Sequence, residues 1–313
     1  MEFRNRDRCP CCDFSLKGDE KIIKGDLDEN VNKDDLSDVW MGIGKTKHFS
    51  YFKCSNCGTL YNNIYPSESL LNNLYQNMPA NMDSEVNTQN QIKNQASYAK
   101  YIYKGLNLLD TKNIQYSFLE VGADRGLLIK ELKNLLGIKF KYCIGIEPNN
   151  VVLKELEDNL KESSKNSKIV SDIQNLSLKD NQFNLSACIH ILDHCYDPKE
   201  LLINLNNNLK SNGLLLIVVH NPESSLARVL GKRWPPYCSQ HPQLFTKRGM
   251  LKISELTGFE LMKKGRTFNN FALSMITNFF RFNIDFANNI NLKMPLGNMY
   301  YILRKKEDMK LIS

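Results

Sequence analysis

From Ser117 onward the chain alternates short apolar runs with amphipathic stretches, and this rhythm constrains the fold more than any other feature. The runs are Phe118–Val121, Tyr142–Ile146, Lys168–Val170, Leu185–Ile189 and Leu214–Val219, of strand rather than helix length. Between them, residues near 127–136, 150–161 and 199–210 repeat apolar positions at helical spacing. Short apolar strands separated by helices predict an α/β domain with a parallel sheet under covering helices. A final pair, Phe259–Arg266 and Met299–Arg304, closes it, and the Phe- and Asn-rich interval Phe271 to Leu296 reads as a helical insertion. Ahead of the sheet, residues 67–110 form a helical linker: Leu70, Leu71, Leu74 and Tyr75 make one apolar face. After a Met78-Pro-Ala-Asn81 break, Tyr98, Ile102, Leu106 and Leu109 make another.

Residues 1–66 have a different character. They hold five of the nine cysteines in two knots, Cys9-Pro-Cys11-Cys12 and Cys54-Ser-Asn-Cys57-Gly58, separated by a polar, acidic stretch from Asp19 to Asp38. No apolar stretch long enough for a signal peptide or a spanning helix is visible, so a cytoplasmic chain without a membrane span is expected. In a reducing compartment such cysteines read as metal ligands rather than disulfides. Each CxxC turn presents two thiolates to one side of a tetrahedral ion, and Cys9, Cys12, Cys54 and Cys57 make a candidate structural Zn²⁺ site, with Cys11 able to replace Cys9 or Cys12. A closed set of four cysteines leaves no open coordination position, so this metal would hold a fold together. Cys143 and Cys188 lie inside apolar runs and read as small core residues.

The formal charge of +7 is unevenly spread. The cysteine-rich segment is close to neutral, with about ten Lys/Arg against about eleven Asp/Glu, and the excess lies in the last third. A nucleic-acid grip by the cysteine module, which would want a basic, aromatic surface, is disfavoured.

Glu120-Val121-Gly122-Ala123-Asp124-Arg125-Gly126 follows the first apolar run and opens a helix, the place where a doubly wound sheet receives its cofactor. The second run ends in Glu147, where an acid receives the two hydroxyls of a ribose, and the third is followed by Ser171-Asp172. The loop is Gly-x-Asp-x-Gly, and Asp124 would repel a pyrophosphate. An acid there suits a cofactor with a positive amino or sulfonium end.

These residues resemble those of the class I S-adenosylmethionine-dependent methyltransferases, a Rossmann-like seven-stranded fold. The resemblance is narrower to a bacterial group with an N-terminal zinc ribbon that is associated with sugar and polysaccharide modification. Phe118 to Gly126 is similar to the first motif, Gly145-Ile146-Glu147-Pro148 to the second-strand motif, and His190-Ile191-Leu192-Asp193-His194 with Asp197-Pro198 to the fourth-strand motif. Cys54-x-x-Cys57-Gly58-Thr-Leu-Tyr61 resembles the passage from ribbon to catalytic domain, and His241-x-x-x-Phe245-Thr246 the substrate-side stretch. Asp124 replaces the usual middle glycine, and Asn184 stands where an acid is usual. The resemblance implies a ribbon over 1–66 and a methyltransferase domain over 111–313.

It also implies roles. Gly122, Asp124 and Gly126 would shape the methionine pocket, Glu147 would bind the ribose, Asp172 would meet the adenine amino group, and Glu120 would support the loop. His190 would border both cofactor and acceptor. His190 and His241 are the candidates for positioning the acceptor or taking its proton, because an imidazole titrates near neutrality. His194 reads as a packing or hydrogen-bonding residue, and Trp234-Pro235-Pro236-Tyr237 as a rigid aromatic lid. The expected acceptor is a sugar, sugar nucleotide or polysaccharide precursor. An RNA methyltransferase and a non-catalytic interaction protein are the alternatives.

Overall fold

The computed structural model describes residues 2–40, 47–77, 85–109, 115–172, 183–274 and 290–306. Seven strands build the central sheet: Ser117–Val121 (β1), Phe140–Ile146 (β2), Ser164–Val170 (β3), Phe183–Ile189 (β4), Leu209–His220 (β5), Phe259–Arg266 (β6) and Asn298–Lys305 (β7). Their spatial order is β3-β2-β1-β4-β5-β7-β6. The first five are parallel, and β7 runs antiparallel to β5 and β6. The chain winds outward from β1 in one direction and then crosses to β4 on its other side. The carboxyl ends of β1 and β4 therefore flank the switch point where such sheets bind ligands.

The pleat sorts the strand side chains onto two faces. Leu119, Val121, Ile144, Ile146, Leu215, Ile217 and Val219 enter one core, and Phe118, Cys143, Leu214, Leu216 and Val218 the other. Five helices cover the sheet: Glu85–Leu108 (α1), Leu127–Leu136 (α2), Leu153–Ser163 (α3), Pro198–Asn208 (α4) and Lys247–Leu256 (α5). The second core takes α1, α2 and α3 through Ile102, Ile129 and Leu156. The first takes α4 and α5 through Leu202, Leu205, Met250 and Ile253, together with Cys9, Cys11, Cys54, Cys57 and Tyr61. No helix among the described residues is long and apolar enough to cross a membrane.

Local signals set the helix ends. Asp197 caps α4 by accepting from the backbone N–H of Lys199 and Glu200, with Pro198 at the first helical position. Thr246 caps α5 by accepting from Gly249 N, and Gly137 ends α2 in the left-handed conformation.

The N-terminal segment forms a small sheet of Glu20–Ile23, Tyr51–Lys53 and Leu60–Asn62. Its edge is completed by Gln243–Leu244, which lies between β5 and α5 and pairs antiparallel with Leu60–Asn62. The ribbon borrows a strand from the other end of the chain.

Three sequence expectations need correction. The interval from Phe271 is bounded by strands: Asn269–Ala272 pairs antiparallel with Asn291–Met294, Leu273 and Ser274 are helical, and its centre, 275–289, lies outside the described residues, as does the break at 78–81. The stretch read as helical to about 210 ends at Asn208, and Leu209 already opens β5 with a bulge in which Asn212 stands at φ 61°. Trp234 is 1% exposed and packs with Tyr51, Tyr237 and Leu244, so Trp234-Pro-Pro-Tyr237 is core rather than lid.

Candidate active site

The loop after β1 is built from backbone constraints. The amides of Gly122 and Ala123 both donate to Ile146 O, at 2.9 and 3.1 Å, which turns the chain across the end of β2. Gly122 has φ 70°, and a Cβ there would lie 2.1 Å from Ile191 Cδ1, so only glycine fits. Asp124 is also left-handed, with φ 45°. Its amide donates to Glu147 Oε2 at 2.8 Å, and Asn149 N donates to Glu147 Oε1 at 2.9 Å. Two backbone amides thus fix one carboxylate at the end of β2.

This turn forms one wall of a cavity of about 540 Å³ lined by Gly122, Asp124, Glu147, Asp172, His190 and His194 among others. The structure brings together the residues expected from three successive strand ends. Glu120 and Gly126 stand behind the wall rather than on it. Glu120 is 2% exposed, and its Oε2 has no hydrogen-bond partner among the described residues. Burial, with Asp124 and Glu147 adding to it, pushes its carboxyl well above the usual range. Burial raises Glu147 as well, against the two amides that hold it. Asn184 is away from this wall: its Oδ1 accepts from Ser117 N at 3.0 Å and ties β4 to the start of β1.

Four histidines lie at the ends of β4 and β5. His190 has φ 54°, a conformation that a non-glycine residue holds only where its surroundings enforce it. Its Nε2 is 3.5 Å from the Tyr98 hydroxyl, which in turn accepts from Asn269 Nδ2 at 2.6 Å. His194 has Nδ1 3.2 Å from the Tyr75 hydroxyl and Nε2 3.0 Å from His241 Nε2. His241 is buried and does not line the cavity; its Nδ1 is 2.6 Å from Pro236 O. It reaches the cavity through His194, and its ring also lies 4.7 Å from that of His220. Asp193 pairs with His220, Oδ2 to Nδ1, at 2.8 Å. Burial pushes His190 down to about 3 and His220 and His241 to about 4, and drives His194 well down too. These rings are neutral at pH 7.

Tyr75, Tyr98, Asn269 and the Asp193–His220 pair had no place in the sequence reading of the site. Tyr98 shows why: its spacing marked it as part of a helix's apolar face, which it is, but its hydroxyl crosses to His190.

In the N-terminal module, Cys9, Cys12, Cys54 and Cys57 place their sulfurs within 4.8 Å of one another. Cys9 and Cys57 are 3.6 Å apart, and Cys12 and Cys54 3.7 Å, the separation that tetrahedral sulfur ligands of one ion require. The cluster therefore has the geometry to hold a metal. Cys11 donates to Gly249 O at 3.2 Å and lies beside Cys9 and Cys57, outside the group of four whose sulfurs fall within 4.8 Å of one another.

A family model described as a methyltransferase domain matches residues 86–264. No curated protein matches the sequence. Among solved structures, the YcgJ protein of Bacillus subtilis is 14% identical, with a TM-score of 0.46, and the alignment covers 66% of this chain and 99% of that one. An S-adenosylmethionine-dependent methyltransferase from Methanosarcina mazei is 14% identical with a TM-score of 0.45, over 64% of this chain and 96% of that one.

Proposed function

The chain belongs to the methyltransferase-domain family and is an S-adenosylmethionine-dependent methyltransferase, and from that premise we propose that its acceptor is a sugar, free or as a sugar nucleotide or polysaccharide precursor. The observation that carries the proposal is the make-up of the cavity wall facing the cofactor side. Asn72, Asn94, Gln95, Gln240 and Asn269 line it with Tyr75 and Tyr98, and among the described residues its only Lys or Arg is Arg125, 3.7 Å from Glu155. Asn94 and Asn269 are bonded to Asn270 and to Thr267 and Tyr98, which fixes the wall, and the amides of Asn72, Gln95 and Gln240 offer a donor and an acceptor each, which matches a polyhydroxylated ligand. A phosphodiester backbone would want a row of cations instead, which disfavours RNA. Gln95 Oε1 is buried without a partner among the described residues and is ready to accept from a sugar hydroxyl.

The residues of the loop fit a cationic cofactor. Glu120 has an unpartnered buried oxygen beside Asp124 and Glu147, and three carboxylates so close favour a ligand carrying positive charge. Bound S-adenosylmethionine supplies a methyl group on a sulfonium, displaced in line by the acceptor. In this reading Glu147, held by two amides, keeps lone pairs for the ribose hydroxyls; Asp124, with Gly122 and Gly126 shaping the turn, faces the methionine end; Asp172 meets the adenine amino group. The neutral ring of His190 orients the acceptor at the end of β4. A pKa near 3 makes it a poor proton sink at pH 7, so orientation is its stronger role. His241 acts through His194 as a positioning residue. The four cysteines hold zinc, which keeps the ribbon folded.

Calorimetry with S-adenosylmethionine and S-adenosylhomocysteine tests the cofactor half, with binding expected in the wild type and lost in Glu147→Ala. Mass spectrometry of sugar nucleotides and free sugars incubated with enzyme and cofactor tests the acceptor half. A mass gain of one methyl group on none of them, with full activity on RNA, would reverse the acceptor assignment.

A further inference from the structure

Beside the cavity, His190 at the end of β4, Asp193 in the turn that follows and His220 at the end of β5 each bring one ligand atom to within 4.8 Å of the others. Asp193 is fully buried, and its Oδ2 accepts from both the backbone N–H and Nδ1 of His220, at 2.9 and 2.8 Å. That pair accounts for half of the carboxylate. Asp193 Oδ1 and His190 Nδ1 are both buried with no hydrogen-bond partner among the described residues. Two buried polar atoms without a partner in one cluster of metal-ligating side chains call for a shared occupant.

We propose that His190, Asp193 and His220 hold a divalent first-row transition ion, a second metal site independent of the four cysteines. Two imidazoles and one carboxylate are a recognised ligand set for such ions, and it leaves coordination positions open. Ligand atoms about 2.0–2.2 Å from one ion stand roughly 3 Å apart when adjacent, and the 2.8 Å between Asp193 Oδ2 and His220 Nδ1 becomes such a spacing once the ion displaces the proton between them to solvent. His190 is supported from behind: its Nε2 lies 3.5 Å from the Tyr98 hydroxyl, which Asn269 holds, and 3.4 Å from Asn298 Nδ2, and in the tautomer that carries the proton on Nε2 the Nδ1 lone pair is presented to the ion. The strained backbone of His190 aims the ring from a position that also lines the cavity. The ion's further ligand is therefore an oxygen of the acceptor, a hydroxyl or a carboxylate. With the ion in place His190 is a ligand rather than a free ring. The site rests on these three residues and not on the sugar reading, and its test does not measure methyl transfer.

The full chain, with zinc in its cysteine cluster, is incubated with excess Mn²⁺, Fe²⁺, Co²⁺ or Zn²⁺ in turn, cleared of loose ions by gel filtration, and its metal content read by plasma mass spectrometry. The wild type should gain one ion per chain, and Asp193→Asn and His190→Gln should not, while the cysteine-bound zinc stays. Tyr98→Phe should weaken the added ion by about 10–100-fold. Melting curves check that each variant folds; if the buried Asp193→Asn does not, the half-buried His190→Gln carries the comparison. No added ion in the wild type with any of the four overturns the proposal and leaves a buried water as the occupant. An added ion retained by both folded variants overturns the assignment to these residues.

Discussion

At Asp124 the backbone turns at φ 45°, a conformation that glycine adopts freely and aspartate more readily than most residues. The departure from the usual glycine thus keeps the turn and adds a carboxylate beside Glu120 and Glu147. Asp124→Gly should preserve the fold, and should weaken S-adenosylmethionine more than S-adenosylhomocysteine, which lacks the sulfonium charge; calorimetry with both ligands checks the difference, and equal losses would refute it. Gly122 has no such latitude, because a Cβ would sit 2.1 Å from Ile191 Cδ1 at a positive φ. Gly122→Ala should abolish cofactor binding. Glu120 gives a pH signature. Its folded pKa lies above the unfolded one, so the folded chain holds the proton more readily; the stability this confers is complete below the ordinary carboxylate range and is lost as pH rises through the folded value. Without cofactor, Glu120→Gln should melt about 2–4 °C higher than wild type near neutral pH, the shift that ~1 kcal/mol produces in a domain of this size. The gap should close toward pH 4, and scanning calorimetry across that range would expose a constant gap if the cause lay elsewhere.

The elements divide by how local their causes are. Strands β1, β2, β4 and β5 were visible in the sequence because both faces of each are buried, so each reads as a continuous apolar run. Strand β3 showed only at its end, since Lys165 to Lys168 are exposed and polar on an edge strand. The antiparallel pair Asn269–Ala272 and Asn291–Met294 was missed because residues so far apart in sequence leave no periodic mark, and the strand Gln243–Leu244 because two residues carry no pattern at all. The cofactor wall was legible for the same reason as the sheet: a turn and an acid sit at successive strand ends. The acceptor side was not, since Tyr75, Tyr98 and Asn269 come from three separate segments. Among the helices, α4 depends on a signal that was legible, the Asp197-Pro198 start. Asp197→Ala removes the acceptor for two amides and should cost about 1 kcal/mol, read as a lower melting temperature.

At the scale of the whole molecule, the ribbon and the methyltransferase sheet share one core. The buried cysteines pack in the same cluster as Leu215, Ile217 and Met250, and Leu60–Asn62 pairs with Gln243–Leu244. Gln243 continues the link: its Nε2 donates to Leu192 O and Cys195 O, at 2.9 and 2.7 Å, on either side of His194. Arg6 adds a further tie, donating to Tyr196 O at 2.8 Å. Whatever orders the ribbon therefore also orders the turn that carries the cavity histidines. A structural metal in a small module is folding energy for everything that packs on it. Stripping the ion from the four cysteines with a strong chelator should lower the melting temperature of the entire chain in one cooperative step and weaken S-adenosylhomocysteine binding at the distant loop, with zinc restoring both. Cys54→Ser should reproduce the chelated state, whereas Cys11→Ser, at a residue outside the group of four, should keep its metal. Two separate melting transitions after chelation, with cofactor binding intact, would mean that the ribbon is an independent module despite its shared core.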